Sequence, residues 1–150
     1  MAEKLSFLFY DKNSKVVDKI DERNFLNLGK ESGLSRIDLY LYAMAQGKHA
    51  GSKLSKKDSL VRGEYVERKI EAIPLITALY IGSKNEFELS KLAKNNKMFE
   101  YADECANTGF SAIEQMMESM SPENLELNII KQLDEIYEDN VRNSKLKSKE

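Results

Sequence analysis

The chain has 150 residues, 41% hydrophobic and 32% charged, with a formal net charge of −2. That length suits one domain able to bury a core without disulfides or a structural metal, and the near-neutral balance excludes a global electrostatic drive toward nucleic acid. A single cysteine, Cys105, excludes an intramolecular disulfide, and no stretch approaches the ~20 apolar residues of a membrane span or the apolar core of a signal peptide, so a cytoplasmic protein is expected.

In chain order, Leu5, Phe7 and Phe9 alternate with the period of a half-buried strand. Asp11 to Ser14 is a turn cluster, after which Val16, Val17 and Ile20 fit either a returning strand or the first turns of a helix. A helical run from about Asp21 to Ser32 carries Phe25, Leu26 and Leu28 on one stripe and ends at Gly33. Ser35 to Gly47 is the best-specified element. Ser35 and Asp38 form a capping signature, and Leu34 is placed to staple onto Leu39. Ile37, Leu39, Tyr40, Leu41, Tyr42, Ala43, Met44 and Ala45 then cover nearly the whole circumference. A helix apolar all round is covered on several sides, which makes it the centre of a bundle or an oligomer interface.

Gly47 to Arg62 reads as a loop with no apolar periodicity, and its five cations, Lys48, Lys53, Lys56, Lys57 and Arg62, face the single acid Asp58. A helical pattern from about Gly63 to Ile81 contains Pro74, which predicts a kink or two abutting helices near Ala72, with Leu75 to Ile81 buried. Phe87, Leu89, Leu92 and Ala93 suggest a short helix. From Lys97 the longest stripe runs through Met98, Tyr101, Ala102, Cys105, Gly109, Phe110, Ile113, Met116, Met117 and Met120. Asn107-Thr108-Gly109 in its middle marks either a close helix crossing or a break. Ser121-Pro122 starts a last helix to Val141, with Leu125, Ile129, Leu133, Ile136 and Tyr137 inward. Residues 1–141 are thus expected to form one helical domain, and the basic tail 142–150 to be disordered.

Catalytic chemistry finds little support. His49 is the only histidine and sits in the basic loop, so any histidine-based metal site or relay would depend on it alone. Cys105 lies on an apolar stripe, where a thiol is a small buried hydrophobe. Asp103-Glu104 and Asp134-Glu135 are adjacent helical positions that point apart, which suits solvated faces rather than paired acid/base work. Met116, Met117 and Met120 suit core packing better than an adaptable groove. There is no P-loop and no metal-ligand spacing. The basic loop is the one local feature with a functional reading, because spaced lysines can track a phosphate backbone with salt-sensitive affinity.

Two resemblances bear on that reading. The strand Leu5 to Phe9, a helix, Glu31-Ser32-Gly33-Leu34-Ser35-Arg36-Ile37-Asp38-Leu39 and a second helix look like a ribbon-helix-helix DNA-binding unit, in which strands paired across a dimer enter the major groove. The run before Gly33 is longer than that motif holds, and Phe7 and Phe9 read no bases. The second resemblance covers about Ile37 to Glu118. The helix ending Ala43-Met44-Ala45-Gln46-Gly47 with a basic loop after it, the segment Leu75-Ile76-Thr77-Ala78-Leu79-Tyr80, and Glu104-Cys105-Ala106-Asn107-Thr108-Gly109-Phe110-Ser111-Ala112-Ile113 resemble a family of small proteins encoded beside Dnd systems, which place phosphorothioate linkages in DNA. The resemblance implies an accessory role in DNA modification or linked restriction, with no catalytic residues.

The resulting expectation is a mainly α, single-domain helical bundle around a buried central helix, with a short N-terminal β-strand or hairpin. It is a non-enzymatic accessory protein without cofactor or metal, meeting duplex DNA or a partner protein through Lys48, Lys53, Lys56, Lys57 and Arg62. The alternatives are a helical adaptor or homo-oligomer contacting another chain through the Tyr40 and Tyr42 sides, a ribbon-helix-helix-like regulator, and a small enzyme with a pocket lined by His49 or converging acids.

Overall fold

A computed structural model describes residues 7–23, 35–48, 50–84, 97–121 and, between 124 and 142, the helical positions 124, 127, 128, 130, 131, 134, 135, 137–139, 141 and 142. The elements are β1 (Phe7–Asp11), a 3-10 turn (Lys12–Ser14), α1 (Val16–Glu22), α2 (Arg36–Gln46), β2 (Lys57–Arg62), α3 (Gly63–Arg68), α4 (Ala72–Lys84) and α5 (Lys97–Ser119). The fold is mainly α with one short antiparallel two-stranded sheet. Two compact units divide the chain, Met1–Glu114 and Gln115–Glu150.

The N-terminal strand forms, and Val16 to Glu22 follows it as helix, which settles the choice between hairpin and strand plus helix. The partner of β1 comes from much later in the chain. β2 lies within the segment whose composition reads as a loop, and it pairs antiparallel with β1, Phe7 opposite Arg62 and Asp11 opposite Lys57. In place of the cross-dimer ribbon that the ribbon-helix-helix resemblance implies, β1 is therefore paired within its own chain. The alternation is also one residue out of phase with expectation: Leu8 is fully buried, whereas Phe7 is 39% exposed. Leu8 and its partner Val61 face the core, and on the opposite face Phe7 is exposed and Phe9 half-buried.

α2 starts as its sequence dictates, with the Ser35 N–H donating to Asp38 Oδ2 at 2.9 Å. Its buried face is broad but not complete. Ile37, Leu39, Tyr40, Ala43 and Met44 are buried, Leu41 and Tyr42 half-buried, and Ala45 exposed. α5 crosses it without a break at Asn107-Thr108-Gly109. A Cβ on Gly109 would lie 1.6 Å from the Ala43 carbonyl oxygen, and one on Gly47 would lie 1.9 Å from the Cys105 carbonyl oxygen. Each helix thus brings a glycine against the backbone of the other, with Ala43 and Gly47 facing Cys105 and Gly109. Gly47 has an ordinary φ of −96°, so space and not backbone conformation demands glycine there. Cys105 is buried, as its stripe predicts.

Pro74 divides its helical pattern. α3 ends at Arg68 and α4 begins at Ala72, which puts the proline in a first turn whose N–H groups have no helical acceptor in any case. The expected burial of Leu75 to Ile81 does not occur. Ile76 is buried, but Ile73 is 37% and Leu75 48% exposed, and Leu79, Tyr80 and Ile81 are half-buried.

In the second unit the described positions from 124 to 142 are helical. Tyr137, expected inward, is 71% exposed. The elements expected over residues 24–34, including Phe25, Leu26 and Leu28, and over Phe87 to Ala93, the inward positions Leu125, Ile129, Leu133 and Ile136, and the tail 143–150 lie outside the described residues.

Candidate nucleic-acid interface

The basic segment is pinned rather than loose. Asn107 Nδ2 donates to the Ser52 carbonyl at 3.3 Å and Thr108 Oγ1 to the Ala50 carbonyl at 2.6 Å, while the Ser52 N–H donates to the Glu104 carbonyl at 3.2 Å. At its far end the Ser55 N–H and hydroxyl both donate to Asp11 Oδ2 at 2.7 Å. Burial pushes the Asp11 carboxyl up, but these bonds and that from the Asn13 N–H outweigh it and hold Asp11 below the usual aspartate value. The polar residues at the centre of α5 thus dock the chain that leads into β2, beside the glycine that allows the helices to cross.

Lys53, Lys56, Lys57 and Arg62 are all exposed. Residues Lys57 and Arg62 are an odd number apart and would point to opposite faces of a regular strand. An irregularity in the register, where Leu8 and Phe9 oppose Val61 and Ser59, leaves Leu60 as an extra residue. That bulge returns both cations to one face, the face of Phe7 and Phe9. The two rings stand 6.1 Å apart, and Lys57 Nζ lies 5.9 Å from the Phe9 centroid. From Lys57 to Arg62 the ribbon spans about 17 Å. Lys53 and Lys56 lie on the approach to its Lys57 end. Lys48, also exposed, is on the turn after α2 and not on the ribbon. His49 lies outside the described residues.

Beyond Arg62 the ribbon ends in a cleft of about 610 Å³, lined by Arg36, Arg62, Tyr65, Arg68 and Lys69 among others. Only Arg62 of these is marked out by the sequence as a candidate site residue. Arg68 and Lys69 are adjacent at the end of α3, shortly after Arg62, and Arg36 at the start of α2 meets them only through the fold. Phe7 and Phe9 were legible as strand residues but not as neighbours of the lysines.

One carboxylate departs from its expected setting. Asp103 is buried, not solvated: its Oδ1 accepts from the Tyr40 hydroxyl at 2.7 Å and from the Phe9 N–H at 3.1 Å. Burial pushes its carboxyl up to about 7 against the opposing pull of these two bonds. The same burial, with Asp103 alongside, drives the Tyr40 hydroxyl well above its ordinary value. Asp103 shares helix spacing with Ala106, Phe110 and Ile113, a signal that places it on the apolar stripe. It ties α5 to α2 and to the backbone of β1.

Among the described residues, no group of three or more His, Cys, Asp or Glu is placed to hold a metal ion, and no helix is long and apolar enough to cross a membrane. Comparison of the chain with protein-family models, curated proteins and solved structures returns no match.

Proposed function

We propose that this is a non-enzymatic nucleic-acid-binding protein, an accessory to DNA modification or linked restriction, that lays a DNA strand across the outer face of the β1–β2 ribbon. One observation carries the reading: Lys57 and Arg62 share that face with the Phe7 and Phe9 rings, and Lys53 and Lys56 extend its positive end. Cations interleaved with aromatic rings suit nucleic acid, since the cations neutralise phosphates and a ring offers a stacking surface that every base can use. The anchoring by Asn107, Thr108 and Asp11 supports it further, because a fixed array loses less freedom on binding than a loose loop. The accessory role, and DNA as the nucleic acid, rest on the resemblance to Dnd-associated proteins.

Fluorescence anisotropy with labelled duplex and single-stranded DNA tests this. Binding at low salt should weaken steeply as salt rises, with a log–log slope near −3.6 for duplex if about four phosphates are neutralised. Changing Lys53, Lys56, Lys57 and Arg62 together to glutamate should abolish it. Phe7→Ala should weaken single-strand binding selectively. No detectable binding of either form at low salt rejects the reading.

A second reading, a homo-oligomer, is favoured by the apolar surface around the start of α4. Ile70 is 85%, Leu75 48% and Ile73 37% exposed. The Tyr40 side of α2 does not serve that role, since Tyr40 is fully covered within the chain.

A further inference from the structure

We propose that the cleft between the N-terminal end of α2, the end of β2 and α3 is a binding site for a phosphate monoester attached to a planar ring, that is, a nucleoside monophosphate, free or at the 5′ end of a strand. The site adjoins the ribbon face, with which it shares Arg62, and recognises a terminal phosphate and ring that strand binding across the ribbon does not require.

Four cations line the cleft, and two are already satisfied. Arg36 Nη2 pairs with Asp21, and Lys69 Nζ holds Asp38 Oδ1 at 2.6 Å. Among the described residues no carboxylate pairs with Arg62 or Arg68. Two guanidinium groups with no carboxylate partner among the described residues suit a dianionic phosphate, which accepts forked, charge-assisted bonds from arginine.

The remaining lining argues for more than inorganic phosphate. Tyr65 is 50% exposed, and the Arg68 guanidinium carbon lies 5.7 Å from its ring centroid. An exposed ring beside an arginine offers a planar ligand both stacking and cation contact. Leu60, the extra residue of the bulge, contributes apolar wall. A volume of about 610 Å³ falls among sites for small organic ligands and far exceeds a phosphate.

Isothermal titration calorimetry of the full chain with adenosine 5′-monophosphate, adenosine, inorganic phosphate and a 5′-phosphorylated oligonucleotide tests this. The monophosphate should bind saturably, with adenosine and phosphate each at least about tenfold weaker, the loss expected when one charge-assisted contact set is removed. Arg68→Ala should weaken it about tenfold or more, and Tyr65→Ala should weaken it while Tyr65→Phe keeps it. Both positions are exposed, and an unchanged melting temperature confirms that the variants fold. Tighter binding of the phosphorylated oligonucleotide than of its unphosphorylated form, lost in Arg68→Ala, would identify a strand end as the source; equal affinity for both forms leaves the free nucleotide. No saturable binding of the monophosphate at millimolar concentration, or affinity unaffected by Arg68→Ala, overturns the proposal. The triple change of Lys53, Lys56 and Lys57 to glutamate should remove strand binding and leave the monophosphate affinity intact, so the two readings fail separately.

Discussion

At Asp103 two opposing effects act on one carboxyl group. Hydrogen bonds from Tyr40 and Phe9 favour the carboxylate, and burial favours the acid; burial wins, and the group titrates near 7 rather than at 3.8. A proton held more tightly by the folded than by the unfolded chain stabilises the fold fully below about pH 4, and that contribution fades as pH rises through 7. At about 1.4 kcal/mol per unit it amounts to at most about 4 kcal/mol. Asp11 and Asp38 run the other way, since both are held below their ordinary value and lend stability that disappears only in acid. Asp103→Asn is a neutral isostere whose carbonyl can still accept both bonds. Urea denaturation at pH 5 and pH 8 should therefore show the native chain losing stability relative to Asp103→Asn as pH rises, by one to a few kcal/mol. Parallel pH profiles for the two proteins would contradict the buried acid.

Between elements, the crossing of α2 and α5 is the contact least tolerant of change. Backbone meets backbone there, so an added methyl cannot be absorbed by turning a side chain. Gly109→Ala should cost more than about 3 kcal/mol or prevent cooperative unfolding, in the range of severe overpacking. Gly82→Ala is the matched control, because a Cβ there meets nothing within 4 Å and the residue is exposed in α4. That change should stabilise by about 0.5 to 1 kcal/mol through helix propensity. Thermal melts of both variants check the pair; similar melting temperatures would mean the helices do not cross so closely. The crossing also places Asn107 and Thr108 on the exposed shoulder of α5, where they capture Ala50, Ser52 and Lys53. The residues that looked weakest for a helix are those that let another helix approach and then hold the basic segment.

For the whole molecule, a net charge of −2 means that attraction to nucleic acid must come from a local array. The apolar residues at the start of α4 mark a separate surface. If they join two copies of the chain, sedimentation should show a dimer that Ile73→Lys with Leu75→Lys converts to monomer without loss of helix content. A monomer at all concentrations would leave those residues as surface apolar groups of the ordinary kind.

Much of the fold was legible because it is written in local periodicity. The cap at Ser35 and Asp38, the stripe of α5, the stop that Pro74 imposes and the burial of Cys105 depend on neighbours within a few residues along the chain, and spacing and backbone chemistry alone settle them. The resemblance to ribbon-helix-helix units failed where pairing is not local. β1 and β2 are separated by more than forty positions, and a strand of six residues with three charges carries no period strong enough to be distinguished from a loop. The bonds of Asp103 to Tyr40 and Phe9, the backbone contact that demands glycine at 47, the shared face of Lys57, Arg62 and the two phenylalanines, and the meeting of Arg36 with the stretch from Arg62 to Lys69 were decided by tertiary structure alone. Each depends on which distant segment comes to lie alongside, and that is set by how whole helices pack, not by any residue's own preference.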